Sequence, residues 1–394
     1  MTNSSISRRI TAGLAAVTAV CLLSACGADA GTGGSEAAGG DAIVVSSVNA
    51  ITGAATFADS SAAAKAVFDE YNAAGGLGGQ KIDYRIFDDK SDPSAASSAA
   101  RDAIEGGSVA MVGSGSLIDC QINHEYYEQN GIIAIQGVGV DPFCYSTPNI
   151  SSVIVGPYFD TALTLAYGTE VLGLTDVCAL IVVSGPTLPA YDEQIDWWKG
   201  VSGQDFVYRD DTLAYGTADY TPYLVKVKEA GCKAVYFNSV EPDMLGLLKA
   251  AEAQGLNDLT FLFLTSAYSE QFAQAAGFVG KGVYLPAELA PFTDETNEAN
   301  ADWRALMEEK GIPLNSFSQA GYLSALHFIS LIEGIDGDIT RESVTEAAKG
   351  MTTGFDNPMA GAPWMFGPGD AHQSNNTGWP LMLKPGSNQW ENAG

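Results

Sequence analysis

The sequence predicts an α/β fold made of two similar, doubly wound lobes, and three observations carry that expectation. From residue 42 onward, short β-branched runs alternate with longer amphipathic stretches, the pattern of βαβ units around a parallel sheet. The alternation restarts after residue 155, so the pattern is written twice. The 394 residues, 46% hydrophobic and 17% charged, are enough for two domains with sizeable buried cores.

The segment before residue 42 predicts an address rather than a fold. Ser7, Arg8 and Arg9 are followed by an almost wholly small or apolar run to Leu23, shorter than a bilayer span requires. Leu23-Ser24-Ala25-Cys26 then resembles a bacterial lipobox, which implies a signal peptide over 1–25 and acylation of Cys26 as the membrane anchor. Residues 26–41 are rich in Gly, Ala and Ser and read as a flexible tether. The expected location is therefore extracytoplasmic, held to the cell membrane by lipid alone.

In the first lobe, strands are expected over 42–48, 81–87, 109–113 and 132–136. Between the first two lies a helix with Val67, Phe68 and Tyr71 on one face, stopped by Gly75-Gly76. Asp92-Pro93 opens the next helix with an N-cap followed by proline at the first helical position. Residues 152–155 look strand-like, and the second lobe follows with strands near 177–183, 206–208, 234–238 and 260–264. Glu241-Pro242 opens a helix there, 297–349 is mainly helical, and the Gly/Pro-rich end from 354 contains two short apolar runs that can form strands.

Charge and motifs narrow the function. Nineteen Lys+Arg against forty-seven Asp+Glu give a net charge of −28, more negative still once Arg8 and Arg9 are removed. Such a surface repels phosphate backbones and anionic headgroups, so nucleic acid is not an expected partner. No enzyme motif survives inspection. Gly113-Ser114-Gly115-Ser116 lacks the nucleophile-elbow spacing, and Gly75 to Lys81 lacks the Ser/Thr that a phosphate loop places after its lysine. His124-Glu125 has no second histidine four residues on, and His327 and His372 belong to no ligand cluster. Asp88, Asp89 and Asp92 lack the pattern of a calcium loop and read as a solvated turn plus the N-cap. No cofactor, metal or catalytic residue is expected.

Several stretches carry a family likeness. Asn72-Ala73-Ala74-Gly75-Gly76, Lys81-Ile82, Asp88-Asp89 with Asp92-Pro93, the run MVGSGSLIDCQINHEYYEQNGIIAIQG, KAVYFNSVEPDMLGLLKAAEAQGL and QAGYLSALHFISLIEGI resemble the branched-chain-amino-acid-type solute-binding proteins of ABC importers. The likeness covers nearly everything from residue 42. It implies a type I periplasmic-binding-protein fold, in which two lobes joined by three crossover segments close on a small molecule. The crossovers are expected near 152–158, 284–289 and 366–378, so one lobe comprises 42–153 plus 288–366 and the other 154–287 plus 367–394. It also implies ABC permease and ATPase subunits as partners of a monomeric receptor.

The loops after the strands are the expected ligand contacts, because open α/β sheets bind at the carboxyl ends of their strands. In this family a serine and a threonine read the α-carboxylate and ammonium, and the resemblance puts those positions at Leu117 and Val140. The second lobe's tyrosine and acid fall at Val240 and Thr265, so all four polar readers are replaced. A buried ammonium without an acceptor is costly. The expected lining is therefore apolar and aromatic: Phe57, Leu117, Val138, Val140, Tyr158, Tyr191, Val240 and Tyr268. Polar tips come from Ser114, Ser116, Gln136, Asn238, Ser239 and Thr265, with Glu241 or Glu288 as alternative carboxylates. A small, largely apolar or aromatic ligand follows. A true branched-chain amino acid binder, or a sensor of the same fold without transport, is the alternative.

Four cysteines remain after the leader and anchor: Cys120, Cys144, Cys178 and Cys232. An exported chain favours two disulfides, and sequence alone allows three connectivities. In the implied fold, Cys120 and Cys144 flank strands three and four, while Cys178 and Cys232 begin neighbouring strands of a 2-1-3-4-5 sheet. The resemblance thus implies Cys120–Cys144 and Cys178–Cys232.

Overall fold

The first strand, β1 (Ile43–Asn49), is buried along nearly its whole length, as a strand covered by helices on both faces must be. The computed structural model describes residues 42–53, 55–372 and 375–393. The expected signal peptide, tether and acylated Cys26 lie outside the described residues. With β2 (Ile82–Asp88), β3 (Ala110–Ser116), β4 (Ile133–Gly139) and β5 (Ile150–Ser152), β1 forms a five-stranded parallel sheet of order β2-β1-β3-β4-β5. Its crossovers are α1 (Ala58–Ala73), α2 (Pro93–Glu105) and α3 (Asp119–Gln129). Asp92 caps α2 by accepting from the Ala95 N–H at 2.9 Å, with Pro93 in the first turn, so the Asp-Pro signal works as a helix start.

A seven-stranded sheet repeats the plan with β6 (Val177–Val182), β7 (Tyr208–Leu213), β8 (Ala234–Phe237), β9 (Thr260–Phe263), β10 (Gly282–Ala287), β11 (Trp379–Leu383) and β12 (Trp390–Asn392). Its order is β12-β11-β10-β9-β8-β6-β7, with β11 and β12 added antiparallel at one edge. Helices α4 (Pro157–Ala166), α5 (Leu188–Ser202), α6 (Thr221–Glu229), α7 (Glu241–Ala253) and α8 (Glu270–Ala275) belong to this half. The chain then returns to the first sheet through α9 (Ala301–Lys310), α10 (Ser316–Glu333) and α11 (Arg341–Lys349). Among the described residues no helix is long and apolar enough to cross a membrane.

Helix α10 packs on α1 and against β3 and β4. Gly321 makes that approach possible, since a Cβ there would stand 1.9 Å from the Ser60 carbonyl oxygen. The passage from β5 to α4 turns at Gly156, whose φ of 82° and contact with the Tyr145 ring both exclude a side chain. Residues 153–155 are therefore part of this passage and not the strand that their sequence suggests; the strand ends at Ser152. The crossover expected at 284–289 is also shifted. Residues up to Ala287 are strand, paired in parallel to β9 and antiparallel to β11. Strand β7 starts at Tyr208, later than expected.

The disulfides join Cys120 to Cys144 and Cys178 to Cys232, with Cα separations of 5.2 and 5.9 Å. His327 stacks on Trp364 at 4.8 Å in the core, where burial holds its pKa down to about 3 and keeps the ring neutral. His124 stacks on Phe143 at 4.4 Å and meets the Cys120 carbonyl. Asp88 accepts from the Ile51 and Lys90 N–H groups, closing the acidic turn. Among the described residues, the one group of close metal-type ligands is Cys120, Asp141 and Cys144, and its two sulfurs are bonded to each other.

Candidate ligand-binding cleft

The carboxyl ends of the two sheets face a shared cleft of about 460 Å³, including its part open to solvent. From the first half come Phe57 at the start of α1, Leu117 after β3, Val138 to Val140 at the end of β4, and Phe317 on α10. From the second half come Asp160 on α4, Tyr191 on α5, Tyr215 after β7, Asn238 to Val240 after β8, and Leu264 to Ser266 after β9. Ile154, Pro157 and Glu288, on the connecting passages, complete the wall. Phe57 and Phe317 meet edge to face at 5.1 Å, so the first-half wall is aromatic at its rim.

Nine of the fourteen residues expected to contact the ligand stand in this wall: Phe57, Leu117, Val138, Val140, Tyr191, Asn238, Ser239, Val240 and Thr265. The other five do not. Ser114 accepts from the Val48 N–H at 3.1 Å and so closes the irregular register between β1 and β3. Ser116 donates to Asp89 and accepts from the Ile118 and Asp119 N–H groups at 3.0 Å, acting as the cap of α3. Gln136 donates to Asp119 at 3.0 Å inside the first lobe. Strand-end polar residues are as useful for capping and bridging as for ligand contact, and here the caps claim them. Tyr158 lies behind the wall, its hydroxyl on the Val140 carbonyl at 2.8 Å and its ring against Tyr191 at 4.8 Å. Tyr268 borders an adjoining recess instead, with its hydroxyl on Thr293 and its ring on Phe292.

Most polar groups in the wall are already satisfied. The Asn238 side chain grips both backbone groups of Val182, and Ser239 donates to Asp243 at 2.7 Å. Ser266 donates to the Ser239 carbonyl at 2.6 Å. Among the fully buried side-chain atoms of the wall the exceptions belong to two acids. Asp160, 0% exposed, accepts from the Thr265 N–H through Oδ2 at 2.8 Å, while its Oδ1 has no partner. Glu288, 1% exposed, accepts from the Gly156 N–H through Oε1 at 2.8 Å, and its Oε2 likewise has none. Burial is the main cause that raises both pKa values, that of Glu288 to about 8, and the Glu288 charge adds to the rise at Asp160. Glu241, which borders the outer mouth, is occupied by the Ser269 hydroxyl at 2.6 Å.

Sequence reasoning named Glu288 only as an alternative and missed Asp160, Tyr215 and Phe317. Asp160 looks like an ordinary acid in the first turn of a helix, favoured there by the helix dipole. The available signal was Gly156-Pro157, a turn and helix start that aims the following turn into the cleft.

Two doubly wound halves with a cleft between the carboxyl ends of their strands define a type I periplasmic binding protein. The chain belongs to the periplasmic binding protein family, matching it over residues 43–386. A leucine-, isoleucine-, valine-, threonine- and alanine-binding protein of Pseudomonas aeruginosa is 24% identical over 318 residues, covering 75% of this chain and 78% of the relative. Among solved structures, a fatty acid ABC transporter substrate-binding protein from Thermomonospora curvata superposes with TM-score 0.77 at 16% identity, covering 90% of this chain and 91% of that one. A solute-binding protein of R. palustris in complex with 4-hydroxybenzoate superposes with TM-score 0.75 at 17% identity, covering 89% and 95%.

Proposed function

We propose that this chain is the lipid-anchored, monomeric receptor of an ABC importer. It captures a small, largely apolar or aromatic molecule between its lobes, here taken as 42–153 plus 288–366 and 154–287 plus 367–394, and delivers it to the permease and its ATPase. The observation that carries the reading is the cleft wall: Phe57, Leu117, Val138, Val140 and Phe317 from one side, Tyr191, Tyr215, Val240 and Leu264 from the other. Apolar contacts on both sides are made together only when the lobes close, so a ligand that fills the space shifts the population toward closure. Capture and release involve no bond making. The Leu-Ser-Ala-Cys26 sequence supports anchoring.

A branched-chain amino acid is the second reading, favoured by the relatives' names and by the availability of two acids for an ammonium. Thermal unfolding with leucine, isoleucine, valine and a set of aromatic and aliphatic apolar compounds separates the two. A ligand at about 100 times its dissociation constant adds roughly 2.7 kcal/mol, an easily measured rise in Tm. A rise with apolar compounds alone supports the first reading; a rise with the amino acids alone supports the second.

A further inference from the structure

The polar groups in the cleft wall are unevenly matched. Among the described residues, the wall holds two acids and no lysine, arginine or histidine. Each acid spends one oxygen on a backbone N–H, that of Thr265 after β9 for Asp160 and that of Gly156 for Glu288, and leaves the other, fully buried, without a partner. A buried oxygen left that way is costly, and the deficit disappears only when a donor arrives.

Helix N-termini are the usual substitute for a cation in holding an anion, and that of α3 is already taken. The first N–H groups of α3 go to Ser116 and to Asp141, which accepts from Gln121 at 3.0 Å. The first turn of α1 carries Asp59, that of α4 carries Asp160 itself and that of α7 carries Glu241 and Asp243, while the first turns of α5 and α10 carry no acid. An anionic head placed in the cleft would find two acids and no cationic side chain in the wall. The net charge of −28 acts in the same sense at long range, drawing cations and repelling anions.

Resting on the capture reading above, we infer that the ligand carries a cationic nitrogen head, an amine or amidine without a carboxylate, which donates to Asp160 Oδ1 and Glu288 Oε2 while its apolar body lies against Leu117, Val138 and Tyr191. This arrangement differs from the expected amino-acid recognition in where the acids sit: Asp160 in the first turn of α4 and Glu288 just after β10.

The test uses matched compounds on the purified full-length protein by titration calorimetry: 3-methylbutylamine, leucine and 4-methylpentanoate, then phenethylamine, phenylalanine and 3-phenylpropanoate. The expected result is that each amine binds at least about tenfold more tightly than its two partners. Asp160→Asn and Glu288→Gln keep the oxygen bonded to Thr265 or Gly156 and turn the unpartnered oxygen into an NH2 donor. Each single variant, folded by circular dichroism, is expected to lose amine affinity by about tenfold, and the double variant to lose the preference. Tighter binding of an amino acid or carboxylate, or amine binding indifferent to both variants, overturns the cationic-head inference and leaves capture standing. No binding by any of the six, and no small molecule released when the purified protein is denatured, overturns both.

Discussion

Among the buried acids of the described residues, two pairs are finished to different degrees. In the first lobe, Asp119 receives Asn123 at 2.8 Å, the Tyr127 hydroxyl at 2.7 Å and Gln136 at 3.0 Å, and Asp141 receives the Gln121 and Phe143 N–H groups. In the cleft, Asp160 and Glu288 each receive one N–H and keep one bare oxygen. Burial raises the pKa in both places, to about 6 for Asp119 and about 7 for Asp141. The perturbed pKa therefore does not separate a structural acid from a binding one; the count of satisfied oxygens does.

The largest way to disturb the finished group is to cut the Cys120–Cys144 bridge, which ties the start of α3 to the turn after Asp141. With a sequence separation of 24, the loop-entropy relation gives a loss of about 3.5 kcal/mol for Cys120→Ala with Cys144→Ala. Urea denaturation is expected to show that loss with the cleft's ligand preference unchanged. A variant that also changed ligand preference would join the two acid groups into one system and break the comparison.

Asp119→Ala comes next. It strands the Asn123, Tyr127 and Gln136 donors in a fully buried site, at about 3 kcal/mol in all, whereas Asp119→Asn keeps an acceptor and is expected to cost less. Equal urea midpoints for the two variants would mean that the donors find other partners and that satisfaction is not what distinguishes this group.

The same contrast explains which parts of the molecule were legible in its sequence. Strand order follows from the doubled βαβ alternation, because hydrophobic period and glycine-proline punctuation are local signals that the sheet simply assembles. Strand β10 hides because Gly282 and Pro286 interrupt the β-branched pattern, although it lies inside the sheet between β9 and antiparallel β11, with Pro286 opposite Pro380. The apolar cleft wall was readable at Leu117, Val138 and Val140, since nothing else at a strand's carboxyl end needs those side chains. Polar positions were not. Ser116 and Gln136 serve helix caps and buried acids, and Asp160 and Glu288 face the same cavity only after two separate connecting passages have folded beside each other. Composition records which donors and acceptors exist, and only the fold pairs them.

The smallest expected effect is also the most diagnostic. In the free protein, Asp160→Asn with Glu288→Gln removes two buried carboxyls whose raised pKa values cost stability at neutral pH, so stability there is expected to rise by about 1–2 kcal/mol. The pH dependence has a definite sign. A carboxyl whose folded pKa is raised holds its proton more tightly in the native state, so its contribution is greatest below the unfolded value and is lost as pH climbs through the folded one. For Asp119 and Asp141, raised from 3.8 to about 6 and about 7, that loss falls between about pH 4 and pH 7 in wild type and double variant alike. Asp160 and Glu288 are raised too, so only wild type carries their additional loss. Thermal melts across that range should therefore start close together near pH 4 and separate as pH rises, the variant lying higher. A separation that stays constant with pH would mean that the cleft acids titrate in the folded protein as they do in the unfolded chain, so that burial does not hold their protons on and the two oxygens stand as ordinary carboxylates open to a cationic donor.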